Sequence, residues 1–418
     1  MIAGTEGSTM PLGFDRLLDH VSEYAGIRSV SALEPLAGPG TKVFPPTYGV
    51  PDSAETKYAV EKRVVRSVDG STERVDSVVL NSVAAQAHDL SDALYAATDS
   101  GSLELPLIGV NFAEFDGLSE FGLITDLQSP HRVYDAILRD SLDGEVPFRF
   151  GAIGKAITDA TLGNAGALFV HSPSALLFGA WDSTGPKGGR GTKFERAITS
   201  EIVATDIALG LKTSSRIDPI GIERVADVYR TKSGEWTLNK SEAADKTPKP
   251  LRPSEINHGN VTPSIDERAG GITAGAIEAT TVISLIHLRR LRFPIDAQGH
   301  PLQGEQREIA ERAARATLAA LGLAATALAF EAGFDLRSRC VLAPTAEQTF
   351  EAVGRSGVVE SFSLTGREAL ELVAEASRAA ADAGLGWRPG VHELTPTPRL
   401  VDLVRRSKEA AQASSAED

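Results

Sequence analysis

Apolar and polar positions alternate quickly over much of this chain and settle into long helical runs in only a few places. After a polar leader, residues 14–24 form a short amphipathic stretch. The Gly38-Pro39-Gly40 and Pro45-Pro46-Thr47-Tyr48 clusters then predict loop, because proline offers no backbone donor and restricts the residue before it. Two apolar–polar stretches, residues 58–68 and 74–80, flank Asp69-Gly70, the signature of a β-hairpin. The second arm runs straight into an Ala/Leu-rich helix over 81–97 that opens near Asn81 or Ser82.

Further along, Ser129-Pro130 predicts a helix through Arg139, with Ser129 as cap and Pro130 in the first turn. Residues 168–170 and 175–181 read as short buried strands. Between Trp181 and Phe194 lies a Gly/Pro-rich basic loop. Residues 194–209 have helical spacing, with Ile198, Ile202 and Ile207 near one face. Residues 224–238, centred on Lys232-Ser233-Gly234-Glu235, read as a second, protruding hairpin, followed by a polar Lys/Pro-rich segment to 253 with little packing of its own. An apolar stretch, 272–292, ends in His287 and Arg289-Arg290-Leu291-Arg292. Residues 305–330 and 366–383 are Ala-rich helices, and 407–418 read as a frayed tail. No internal repeat is visible. Strands interspersed with helices, without regular alternation, predict an α+β architecture.

Composition narrows the class. With 418 residues, 42% hydrophobic and 23% charged, the chain reads as globular rather than disordered, fibrous or membrane-embedded. Its single cysteine, Cys340, leaves no disulfide framework and no Cys-rich zinc site, so a reducing compartment is expected. The first thirty residues lack a secretory pattern. The nearest approach to a membrane span, 313–330, carries Arg315 at its start and reads as a buried helix, so the expected location is the cytoplasm.

The net charge of −14 argues against a nucleic-acid partner until its distribution is considered. Residues 1–150 carry 11 basic and 23 acidic side chains, whereas 151–300 carry 18 and 16. The basic residues therefore concentrate in the middle. Arginine outnumbers lysine 30 to 12, and its planar donor fork suits phosphate and base stacking.

No metal or cofactor is expected. The eight histidines show no HxxxH or HExxH pairing, and neither a GxSxG elbow nor a GxxxxGK[ST] loop is present. Candidate anion-binding groups are Lys187, Arg190, Lys193 and Arg196 in and after the basic loop, and His131 and Arg132 at a predicted helix start. Asn257, His258 and Asn260 form a donor-rich turn, and Arg289, Arg290 and Arg292 place three guanidiniums within four residues. Each also has a plain structural reading as a surface loop, a turn or a solvated end.

A colinear series of blocks carries more than any of these motifs alone. It includes Phe44-Pro-Pro-Thr-Tyr48, Asp76-Ser-Val-Val-Leu-Asn-Ser-Val-Ala-Ala-Gln86, Pro130-His-Arg-Val-Tyr-Asp-Ala-Ile-Leu-Arg-Asp140 and Phe178-Gly-Ala-Trp-Asp182. It continues through Arg196 to Val203, Ser215-Arg-Ile-Asp218, Ile256-Asn-His-Gly-Asn-Val261, Leu288-Arg-Arg-Leu-Arg-Phe-Pro294 and Leu336-Arg-Ser-Arg-Cys340. Over about residues 30–345 the chain resembles the CRISPR-associated RAMP family that forms the backbone subunit of type I-U (I-G) Cascade effector complexes. One departure stands out: where the family pattern has an Asn-Arg pair after Ala85-Gln86, this chain has Ala87-His88-Asp89.

The resemblance implies an RRM-like, ferredoxin-type βαββαβ palm over 31–400, preceded by a leader over 1–30 and followed by a flexible tail over 401–418. Its long finger and thumb insertions would include the basic loop at 182–196 and the Ala-rich helices; the hairpin region at 220–253 is the thumb candidate by its protruding pattern, not by a family motif. It implies a non-catalytic scaffold that polymerises along CRISPR guide RNA, meets target DNA through that guide, and contacts other copies of itself and other Cascade subunits, with no membrane partner. It adds Arg216 to the candidate RNA contacts. The competing expectation is metal-dependent RNA cleavage, as in related type III backbone subunits, with Asp52, Asp182 or Asp218 as the loop aspartate. A metabolic enzyme with an unrecognised pocket is the third.

Overall fold

Tyr24–Pro35 sits between strands that lie far from it in the chain. In the computed structural model, which describes residues 12–66, 70–185, 191, 193–222, 227–245 and 247–415, it pairs antiparallel with Ile272–Ser284 on one edge. Its other edge takes Cys340–Pro344 and Phe350–Gly354. Ile198–Leu209 adds beyond Ile272–Ser284, followed by Thr72–Asn81 and the edge strand Val60–Arg66. Side chains alternate as a sheet with one covered face requires. On the first strand Ile27, Ser29 and Leu33 are buried, while Arg28, Val30 and Ala32 are exposed.

Taken in chain order, the central elements run strand 24–35, helix Val83–Asp99, strand 198–209, strand 272–284, helix Gly304–Ala332 and strand 350–354. In space the four strands lie in the order 350–354, 24–35, 272–284, 198–209, every pairing antiparallel. The architecture is α+β.

Both helices pack on the covered face. From Ala316 to Ala327 every residue of the long helix is buried, enclosed by the sheet and by the helices Phe14–Glu23, Val83–Asp99 and Gly366–Asp382. Its length and composition would suit a membrane crossing, but 78% of its most apolar window is buried inside the fold. Gly322 permits the close approach to the sheet, since a Cβ there would lie 3.0 Å from Ile283 Cδ1. The hydroxyls of Thr317 and Thr326 donate to the carbonyls one turn earlier, so neither leaves an unpaired polar atom in the core. Ser82 caps the helix after the first hairpin by accepting from the Ala85 N–H, and Thr365 forms a capping box with Glu368.

Several predicted elements change. Residues 198–209 form a strand rather than a helix. Ile198 and Ile202 are four apart, which is one helical turn but also an even strand spacing, and the β-branched content here decides for the sheet. The segments read as buried strands are mostly helix, Gly166–His171 and Pro173–Phe178, with strand only at Ala180–Trp181. Short, wholly buried apolar runs show no polar alternation to tell the two apart. The single helix expected over 129–139 is instead a 3-10 turn, Arg132–Tyr134, and a separate turn, Ala136–Arg139, capped by Asp135. Arg132, at φ 53°, starts the break. The leader contains, from residue 14, a helix and most of the first central strand, and the tail is helical from Pro398 to Ser415. Both hairpins form, the second as Tyr229–Arg230 with Trp236–Thr237.

One carboxylate fixes the connection into the long helix. Glu311 accepts from Arg292 at 2.9 Å, Arg307 at 3.0 Å, Arg315 at 2.7 Å and the Phe293 N–H at 3.2 Å. Burial alone would push its carboxyl up; the hydrogen bonds and the Arg315 charge hold it below the ordinary range. Replacing Glu311 by Gln leaves three guanidiniums with a neutral partner and should lower unfolding free energy by about 3 kcal/mol. The wild-type advantage is present above pH 4.5 and fades as acid protonates Glu311. Urea unfolding of both proteins between pH 3 and 7 checks this; equal midpoints throughout would refute it.

Candidate nucleic-acid interface

A two-stranded ribbon presents the basic loop. Ala180–Trp181 pairs with Lys193–Phe194, anchored by the buried Ala180 and Phe194, while Trp181 and Lys193 remain exposed. Lys193 Nζ lies 5.9 Å from the centre of the Trp181 ring, a cation held over an aromatic face. The loop candidates Lys187 and Arg190 lie outside the described residues.

Further groups reach the ribbon from the turn Phe148–Phe150 and from Arg139. Arg149 pairs with the Asp182 carboxylate and donates to the Thr184 carbonyl at 2.9 Å, and Arg139 donates to Thr184 Oγ1 at 3.2 Å. Phe148 is buried and anchors the turn, whereas Phe150 is 71% exposed. Arg196 packs its stem beside Gly179 and donates to the Val83 carbonyl at 3.2 Å. Asp182 and Asp140 offset part of the charge of Arg149 and Arg139. Lys193 and Arg196 have no ion pair among the described residues. Exposed rings beside uncompensated cations suit a single-stranded nucleic acid, whose bases stack and whose phosphates attract. By contrast, the open face of the central strands shows Arg28, Val30 and Ala32 on one, Glu278, Thr280 and Val282 on the next, and no aromatic ring on either.

The other predicted contacts are used differently. Arg132 is buried and donates to the Leu127 carbonyl at 2.6 Å, to the Ala87 carbonyl at 3.2 Å and to Ser91 Oγ at 3.2 Å, with its guanidinium over the Phe178 ring. It stitches helix 83–99 to the 127–134 turn and is not available to phosphate. His131 beside it is exposed. Arg289 donates to the Val21 and Tyr24 carbonyls and closes the end of helix 14–23. Arg290 pairs with Glu195 at 2.8 Å, and Arg292 with Glu311.

Arg216, Asn257, His258 and Asn260 do come together, but mainly on one another. Arg216 donates to the carbonyls of Gly259 and His258 and to Asn257 Oδ1, and Asn260 Oδ1 accepts the Asp218 N–H at 2.7 Å. Asp218 in turn accepts N–H groups from Ile220, Ile222 and Gly259. The aspartates considered for cleavage are thus engaged at 182 and 218, while Asp52 is exposed and 3.5 Å from Arg268. Among the described residues no group of three His, Cys, Asp or Glu gathers to hold a metal.

Phe150, Arg149, Arg139 and Trp181 escaped the sequence reading of the site. The alternation Phe148-Arg149-Phe150 was a usable signal; Arg139 had none, since only the fold carries it to Thr184.

The interior also holds a buried carboxylate. Asp126 is fully buried, accepting from the Ile108 N–H at 3.0 Å and from the Ser172 hydroxyl. Burial pushes its carboxyl up to about 6, against hydrogen bonds that act the other way. A folded-state value above the unfolded one means that the charged form costs stability near neutrality and that this cost disappears on acidification. The stability of the wild type relative to Asp126→Asn should therefore rise by about 2 to 3 kcal/mol between pH 7 and pH 4. Chemical denaturation at both pH values tests this, and a pH-independent difference would contradict it.

Residues 27–209 match the family model described as CRISPR-associated protein GSU0053 (Cas_GSU0053). No curated protein matches the chain. The matched span runs from the first central strand through helix 83–99 and the Trp181–Lys193 ribbon to strand 198–209. Over those residues, which are less than half of the chain, this chain is similar to this CRISPR-associated protein family.

Proposed function

We propose that this chain is a non-catalytic, guide-RNA-binding backbone subunit of a type I-U (I-G) CRISPR interference complex, working in the cytoplasm and holding spacer RNA for pairing with target DNA. The single observation that carries this reading is the ribbon of Ala180–Trp181 and Lys193–Phe194, where Trp181 and Lys193, with Phe150 and Arg196 beside them, offer stacking surfaces and charge with no ion pair among the described residues, which also gather no metal-binding carboxylate group. Such a surface grips a backbone and leaves sequence recognition to base pairing.

Two further features support it. The strand order 350–354, 24–35, 272–284, 198–209, with helices 83–99 and 304–332 on one face, is the order a βαββαβ palm of the RRM type requires. The open face of the two central strands carries no aromatic ring, which favours stacking at the ribbon over the sheet-face stacking of a base-reading RRM. Beyond the sheet, the arm formed by Lys212–Arg216 and Val261–Asp266 exposes Leu211, Ile217, Ile220 and Ile265. That much apolar surface in one projection fits contact with a neighbouring copy along a filament. Cleavage is less well supported, because Asp182 and Asp218 already serve an ion pair and a loop.

The experiment is to express the chain with and without a matching CRISPR array and its neighbouring subunits, and to record particle size and bound RNA. Large particles holding array-derived RNA support the reading; a monomer free of RNA under co-expression sinks it. In the RNA-loaded background, Trp181→Ala should weaken single-stranded RNA binding about tenfold across unrelated sequences. Lys193→Ala should reduce the slope of log affinity against log salt by about one unit or less. Filter binding at several salt concentrations measures both, and unchanged affinity and slope would remove the ribbon from the interface.

A further inference from the structure

A small basic pocket lies apart from the ribbon, at the N-terminal ends of the parallel strand pair Leu107–Asn111 and Val391–Pro396. Its cavity is about 140 Å³, walled by Pro106, Ile153 and Pro389 and faced by His171, Arg388 and His392. At about 30 Å³ per water, it has room for a tetrahedral oxyanion.

Three nitrogen bases converge here with little to neutralise them. The Arg388 N–H donates to the Val170 carbonyl at 3.1 Å, which holds this segment against the helix that ends in His171. The Arg388 guanidinium and the His171 ring have no side-chain hydrogen bond or ion pair among the described residues. His392 Nε2 is buried and lies 3.2 Å from Asp143 Oδ1, yet off the hydrogen-bonding direction, so the nitrogen has no hydrogen-bond partner. Asp143 is the carboxylate facing the group, and it lies against His392 rather than Arg388. Burial, followed by the charges of Arg388 and His392, pushes His171 down to about 4. A ring kept neutral by burial and, after it, by cationic neighbours gains a proton when an anion offsets that charge.

We propose that this pocket binds a phosphate group, with Arg388 as the permanent charge, His392 in its wall and His171 taking up a proton on binding. No bond is made or broken in this step. Linkage sets the sign: if binding takes up a proton at His171, affinity rises as pH falls. The proposal does not depend on the RNA-scaffold reading, because it uses none of the ribbon residues.

The test follows the histidine ring signals by NMR in the full chain while inorganic phosphate is added, with sulfate as a second probe whose charge does not change between pH 6 and 8. Saturable shifts of His171 and His392, at least tenfold weaker in Arg388→Ala, are expected. Sulfate should bind more tightly at pH 6 than at pH 8, and His171→Gln should bind with that pH dependence lost. No saturable shift with either anion, or an unchanged response in a folded Arg388→Ala, overturns the proposal. Short RNAs bearing a 5′-phosphate or a 5′-hydroxyl then separate the sources. Preference for the phosphorylated end over inorganic phosphate assigns the site to a nucleic-acid terminus, and equal binding assigns it to free phosphate.

Discussion

Keeping the helix Gly304–Ala332 out of water is the constraint on which the rest of the structure depends. Twelve successive buried residues, Ala316 to Ala327, leave it no solvent face along its middle, so it needs neighbours on every side. The sheet can supply one of them only if strand 24–35 pairs with strands some 250 and 320 residues later in the chain. Those pairings close long loops at a modest entropic cost and are retained because they complete the helix's surroundings. Helices 14–23, 83–99 and 366–382 cover what remains. The Glu311 cluster then sets the angle at which the chain enters the helix, tying Arg292 and Phe293 to its second and third turns.

Arginine does two kinds of work in this fold, and position separates them. Arg132, Arg289 and Arg216 each direct two hydrogen bonds to backbone carbonyls, since one planar side chain with five N–H groups can satisfy two or three chain segments at once. Arg292, Arg307 and Arg315 converge on one carboxylate. Lys193, beside Trp181, and Arg388 are among the described cations that are spent in neither way. An acidic chain can therefore carry a local basic surface, because local potential depends on which cations are unpaired rather than on the net charge.

Much of this was legible in the chain. The first hairpin and the helix after it follow from Asp69-Gly70 and the Ser82 cap, and the two Ala-rich helices from composition. Local signals of this kind act within a few residues and hold in almost any context. Lys193 and Arg196 stood out as candidates because a Gly-rich basic loop is expected at the surface, and both are exposed. Ile198–Leu209 was misread because its isoleucines satisfy both periodicities, and only partners on both edges resolve which one is used.

Arg132 shows where legibility ends. Beside His131 it has the residue type, the spacing and the flanking proline of an anion site, yet its guanidinium is buried over Phe178. Nothing local could announce that, since its partners are at 87, 91, 127 and 178. The sequence by itself determined the α+β class, the principal helices and the presence of surplus cations in the middle of the chain. Only the tertiary structure decided which of those cations stay free, because pairing and burial arise from contacts between segments that no local pattern connects.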